Sequence, residues 1–118
     1  MIRSIGSSQA ALTAYSSHLN ASANNIANIN SQEYKSKDVV INEGQNSRPE
    51  AQVRTNNSPG PLRETISQEG KAKSMEMSNT DISKEMTDMV SSEKAYTANL
   101  KTIGTQSEMT GSIIDIKG

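Results

Sequence analysis

Large aliphatic side chains recur every seven residues at both ends of the chain and rarely between. Ile5, Leu12, Leu19 and Ile26 form one column, with Met1, Ser8, Tyr15, Ser22 and Ile29 a weaker column beside it. Ile82, Met89, Tyr96 and Ile103 form the other, filled out by Met86, Leu100 and then Ile113 or Ile114 at spacings of three and four. A narrow seven-residue stripe predicts helices that pair along a seam rather than lie on a broad globular face. Ala10, Ala11, Ala14, Ala21, Ala23 and Ala27 favour the first helix. Asn24, Asn25, Asn28 and Asn30 end it, because Asn side chains compete for backbone hydrogen bonds. Ser78 and Asp81 fit an S-x-x-D capping box for the second helix, which should run roughly 35 residues, or about 50 Å. Gly104 and Gly111 weaken it by about 1 kcal/mol each, and Lys117 and Gly118 read as its last turn and terminator.

The middle of the chain has a different texture. All three prolines (Pro49, Pro59, Pro61) fall there, with Gly44, Gly60 and Gly70. Tyr34–Ile41, Ala51–Thr55 and Leu62–Ile66 are candidate strands bounded by turn-forming residues. The expected fold is therefore mainly α. A helix over 1–29 and a helix over 79–118 pair as a coiled-coil hairpin, a short irregular β-rich segment over 30–78 connects them, and the whole is one assembly domain.

Composition limits what such a chain can bury. Only 32% of its 118 residues are hydrophobic, 44 are Ser, Thr, Asn or Gln, and the aromatics are three tyrosines. That is too little apolar mass for a large private core, so the chain should borrow burial from partners and be poorly ordered alone. Twelve basic and thirteen acidic residues leave a net charge of −1, without the basic footprint of a nucleic-acid binder. The absence of cysteine excludes disulfides and thiolate zinc sites. No apolar run approaches the roughly 20 residues of a membrane span. Met1–Ser4 is followed by polar residues, so export is expected without a cleaved signal peptide.

Candidate chemistry is sparse. His18 is the only histidine and has no second ligand or nucleophile near it in sequence, so it reads as an exposed or interfacial helix residue. Asp81, Glu85 and Asp88 share one helix face and read as a solvated acidic face at a helix N-terminus. Met75, Met77, Met86, Met89 and Met109 could suggest a soft-metal site, but the last three sit on or beside the apolar stripe and read as packing. No catalytic set, cofactor site, metal site or small-molecule site is expected, and the chain reads as a non-enzymatic assembly protein.

Two segments narrow this further. Ser22, Asn24 or Asn25, Ala27, Asn28, Tyr34 and Lys35, with Ser31 in place of a threonine, resemble the N-terminal signature of bacterial flagellar axial proteins, the rod, hook and hook-associated subunits. Glu33 stands where that family usually has glycine. Asn79 and Asp81 in Ser78-Asn79-Thr80-Asp81, then Glu85-Met86, Met89-Val90, Ala95 and Asn99 in Lys94-Ala95-Tyr96-Thr97-Ala98-Asn99, Ile103-Gly104-Thr105 and Glu108-Met109 resemble the family's C-terminal domain, with Lys94 in place of the usual arginine. The resemblance covers about 70 of the 118 residues, at both ends and in the family's order.

The resemblance implies a structural subunit of the flagellar basal-body rod. Such subunits polymerise with themselves and other rod subunits into a hollow helical drive shaft, which carries torque through the periplasm from rotor to hook. It also implies export through the flagellar type III apparatus. The short middle segment is similar to that of proximal-rod subunits. In that picture Ile5, Leu12, Leu19 and Ile26 face Ile82, Met86, Met89, Tyr96, Leu100 and Ile103, or the equivalent stripes of neighbours, as the assembly seam. The alternative is a soluble export adaptor or chaperone that binds axial-protein helices.

Overall fold

The computed structural model describes residues 2–67 and 69–116; Met1, Lys117 and Gly118, which the sequence reading used, lie outside the described residues. Helix α1 (Ile2–Ala27) leads into strands β1 (Lys37–Glu43) and β2 (Pro49–Thr55), then β3 (Leu62–Ile66) and β4 (Ala72–Glu76), and ends in helix α2 (Ile82–Ile116). β1 pairs antiparallel with β2, and β3 with β4, as two separate two-stranded sheets. The expectation of a mainly α chain with an irregular connection is thus overturned. The middle is two regular hairpins, and the chain is a mixed α and β molecule.

Local chemistry explains the hairpins. Val39-Val40-Ile41 is the one strong β-branched run, and it pairs with Val53-Gln52-Ala51. The turn between β1 and β2 places Asn46 and Ser47 in the left-handed region, closed by the Gly44 amide donating to the Arg48 carbonyl at 2.7 Å. Strand β4 has the composition Ala-Lys-Ser-Met-Glu and carries no propensity signal. Its pairing is set by a tight turn in which Gly70, at φ 73°, donates to the Ser67 carbonyl.

Asn25, near the end of α1, meets Glu85 in the first turn of α2, so the two helices run antiparallel. The seam between them differs from the expected one. Its buried residues are Ser8, Ala11, Ser22 and Asn25 on α1 and Glu85 and Ser92 on α2. The only buried apolar side chains among the described residues are Ala11, Ala14 and Ala21. Small side chains let helix axes approach closely, but they bury little apolar area.

Hairpin β1–β2 folds back along one flank of this pair. Its Pro49 and Ala51 lie beside Ala10, Thr13 and Ala14, Val39 and Ile41 lie beside His18 and Ser92, and the Arg48 guanidinium reaches Gly6. The apolar columns occupy the other flank. At about 100° per residue, Ile5, Leu12, Leu19 and Ile26 sit to one side of Ser22, and Met89, Tyr96, Leu100 and Ile103 sit to the corresponding side of Ser92. In an antiparallel pair these two sides coincide. The stripes therefore border the seam on the side opposite the hairpin, half-buried along the helix pair rather than at its centre.

Candidate functional site

Two features converge where α1 ends and α2 begins: a fully bonded polar corner, and the apolar flank that starts beside it. The corner is built on Asn25, which has no solvent exposure. Its Nδ2 donates to the Lys37 carbonyl (2.8 Å) and to Glu85 Oε1 (2.9 Å). Its Oδ1 accepts from the Lys37 amide (2.8 Å) and the Tyr34 hydroxyl (3.1 Å). Both donors and both lone pairs are thus used, the condition under which a buried amide costs least. One side chain holds α1, the start of β1 and the first turn of α2 together.

Asn79 ties the segment before α2 to both ends of the β1–β2 hairpin. Its Oδ1 accepts from the Ser36 amide (2.7 Å), and its Nδ2 donates to the carbonyls of Asn56 (2.8 Å) and Ser58 (2.9 Å). The Lys35 ammonium lies 2.6 Å from Glu76 Oε1, which also accepts from the Gly60 amide at 2.7 Å. The Lys35 hydrogen bond, then the Gly60 amide, hold the Glu76 carboxyl below its ordinary value of 4.5 against the opposing effect of burial. The Glu76 carboxylate therefore stays ionised through the neutral range, and its bridge to Lys35 is lost only as pH falls through that lowered value.

Gly60 is required by space. A Cβ there would collide with the Met77 carbonyl. Gly60→Ala should cost about 1–3 kcal/mol, because backbone rather than a side chain must move. The amide of Met77, which donates to Pro61 at 2.9 Å, reports this through faster hydrogen exchange; unchanged protection would refute it. Glu33 is a second strained position. It adopts φ 54°, where the related family usually has glycine, and its amide donates to Glu76. A non-glycine residue pays about 1 kcal/mol there, so Glu33→Gly should slow exchange of that amide about fivefold. Exchange that is unchanged or faster would contradict the strain.

Other residues picked from the sequence sit elsewhere. Asp81 caps α2 alone, accepting from the amides of Ser83 (2.9 Å) and Lys84 (3.3 Å). Ser78 does not complete a capping box; it accepts from the Thr80 amide within the preceding turn. Asn24 and Asn28 donate back along α1 to Asn20 and Asn24, and Asn99 donates to Ala95, so none of these joins the corner. Ser22 is buried in the helix seam, and Ala27 is exposed. Glu85 departs from the solvated reading of its acidic face. It is only 3% exposed, because Asn25 and the N-terminal end of α2 receive it. Lys84 instead bridges Asp38 at 2.7 Å and Asp88 at 3.4 Å, and the hydrogen bond to Asp38 raises its pKa. His18 borders a polar cavity of about 70 Å³ beside Glu85 and Asp88, with its Nδ1 buried and unpartnered. Among the described residues no three His, Cys, Asp or Glu side chains could hold a metal ion, and no helix is long and apolar enough to cross a membrane.

Glu85 had a signal in the sequence. Glu85, Ser92, Asn99 and Gln106 also recur every seven residues. That polar column, not the apolar one, faces α1 at Glu85 and Ser92, where the burial is deepest. On the open flank, Ile5, Leu12, Leu19, Ile26, Met89, Tyr96 and Ile103 are half-buried. Ile82, Met86 and Leu100 are 45%, 59% and 46% exposed.

A thin polar seam, a clamped corner and a half-buried apolar flank characterise this elongated molecule. Residues 71–116, from the approach to β4 through all of α2, match the family described as Flagellar basal body rod FlgEFG protein C-terminal. The match supports a protein of the basal-body rod/hook family, and with it a structural role and a location in the flagellar basal body. The family is not one of enzymes. No curated protein matches the chain.

Proposed function

We propose that this chain is a subunit of the flagellar basal-body rod that polymerises into the hollow helical shaft carrying torque from rotor to hook. The observation that carries this reading is the open flank. The chain places alanine and serine at its deepest-buried positions, leaves Ile5, Leu12, Leu19, Ile26, Met89, Tyr96 and Ile103 only half-buried beside that seam, and leaves Ile82, Met86 and Leu100 exposed. Contiguous apolar surface of this kind marks an interaction site, and a straight stripe on an antiparallel helix pair suits neighbours of the same shape. The family match supports assembly with other rod subunits. On this reading the chain leaves the cytoplasm through the flagellar type III apparatus and resides in the periplasmic rod.

The test is to purify basal bodies from a wild-type strain and from a deletion strain and to detect this untagged chain in them by mass spectrometry. The protein should co-purify with the rod and resist salt washing, and deletion should leave basal bodies without a complete rod. Recovery only from the cytosol, bound to other axial subunits, would replace this reading with the export adaptor.

A further inference from the structure

The molecule is longer than its helices. Its principal extents are 83 × 23 × 19 Å, whereas the 35 residues of α2 span about 52 Å. Helix α1 lies alongside α2, and β1–β2 folds back over α1, so the remaining length belongs to β3–β4. This hairpin leaves the corner and prolongs the long axis beyond the start of α2. Every residue of β3 is exposed, and a two-stranded hairpin with uncovered faces is marginal in water.

Its two faces differ. Cross-strand partners share a face, so the pairs Arg63↔Met75 and Thr65↔Lys73 put Arg63, Thr65 and Lys73 on one side with no acidic residue among them. Neither Arg63 nor Lys73 makes an ion pair among the described residues. Beyond Lys101, one face at the opposite end of the molecule carries the reverse charge. Residues 102–116 contain Glu108 and Asp115 and no Lys or Arg. These two acids lie seven residues apart on one exposed face of α2, turned away from α1. Their spacing along the helix, about 10 Å, is within reach of the diagonal Arg63 and Lys73, whose Cβ atoms lie about 7–8 Å apart.

We propose that copies of this chain meet head to tail, the β3–β4 hairpin of one lying along the last turns of α2 in the next, with Arg63 and Lys73 against Glu108 and Asp115. The choice of a second copy as occupant rests on the rod-subunit reading; the complementary charges at the two ends of one long axis supply the fit. A contact between different patches repeats without closing and so generates a filament.

The chain has no cysteine, which makes the contact directly testable by oxidation of full-length protein carrying Thr65→Cys and Ser112→Cys, the latter between the two acids. A ladder of dimers, trimers and higher species is expected in basal bodies and in concentrated purified chain. Mixing the two single variants should stop the ladder at dimers. Arg63→Glu with Lys73→Glu should cut cross-linking about tenfold, and adding Glu108→Lys with Asp115→Lys should restore it, with the helical circular dichroism unchanged throughout. Protein present in basal bodies without a ladder overturns the head-to-tail contact while leaving the rod reading intact. A ladder from purified chain that never enters basal bodies keeps the contact and overturns the rod reading. No ladder in either setting overturns the contact, and failure of the charge swap to restore cross-linking overturns its ionic basis.

Discussion

Asn25→Asp should open the corner at neutral pH although it changes the side chain by a single atom type. The two donors of Nδ2 become acceptor oxygen, facing Glu85 Oε1 and the Lys37 carbonyl at the distances where hydrogen bonds were. Two carboxylates are then forced together in a site with no solvent exposure. Removing one partner of a buried charged contact costs about 3–5 kcal/mol, and adding a like charge is no cheaper. Hydrogen exchange at the Lys37 amide is the measurement, because that donor rests on Asn25 Oδ1 and reports the corner without requiring global unfolding. Asn25→Ala should also raise exchange, and Asn25→Asp combined with Glu85→Gln should recover part of the loss by removing the repulsion. Wild-type protection in Asn25→Asp would show that the corner is held by something other than this amide.

Leu100→Asp should abolish assembly while leaving the free chain nearly unchanged. Leu100 is 46% exposed, on the open flank between Tyr96 and Ile103. In an isolated chain an aspartate there remains hydrated, and exposed substitutions usually stay within about 0.5 kcal/mol. In a shaft whose neighbours cover that flank, the same charge is buried without a partner in every copy, at several kcal/mol each. Lys94→Asp, exposed on α2 and about 21 Å along the helix from Glu108, is the control. Soft-agar motility and microscopy of recovered rods are the readouts, with export checked by blotting. Equal motility for Leu100→Asp and wild type would mean that the flank stays open in the rod. Equal loss for Lys94→Asp would show that added charge on α2, rather than burial of this flank, blocks assembly.

Helix periodicity was readable because seven-residue recurrence survives any tertiary arrangement; α2 spans 35 residues, and the Asn-rich stretch closes α1 near Ala27. Three candidate strands overlap β1, β2 and β3, since β-branched runs and turn formers act locally. β4 was not readable, because Ala72–Glu76 become a strand only by pairing with Leu62–Ile66. Composition and spacing by themselves determined that two striped helices flank a proline- and glycine-rich middle, with too little apolar mass for a large core. They did not determine which way the stripes point. Two columns run at the same spacing on α2, one of Met89, Tyr96 and Ile103, the other of Glu85, Ser92, Asn99 and Gln106. Ordinary hydrophobic reasoning turns the first inward. The tertiary structure gives the deepest burial to the second, because Asn25 offers Glu85 a bonded site and the small side chains of Ala11, Ser22 and Ser92 let the helices close. That choice depends on a hydrogen bond between residues 60 positions apart, and no local pattern encodes it. It leaves the apolar column half-buried beside that seam.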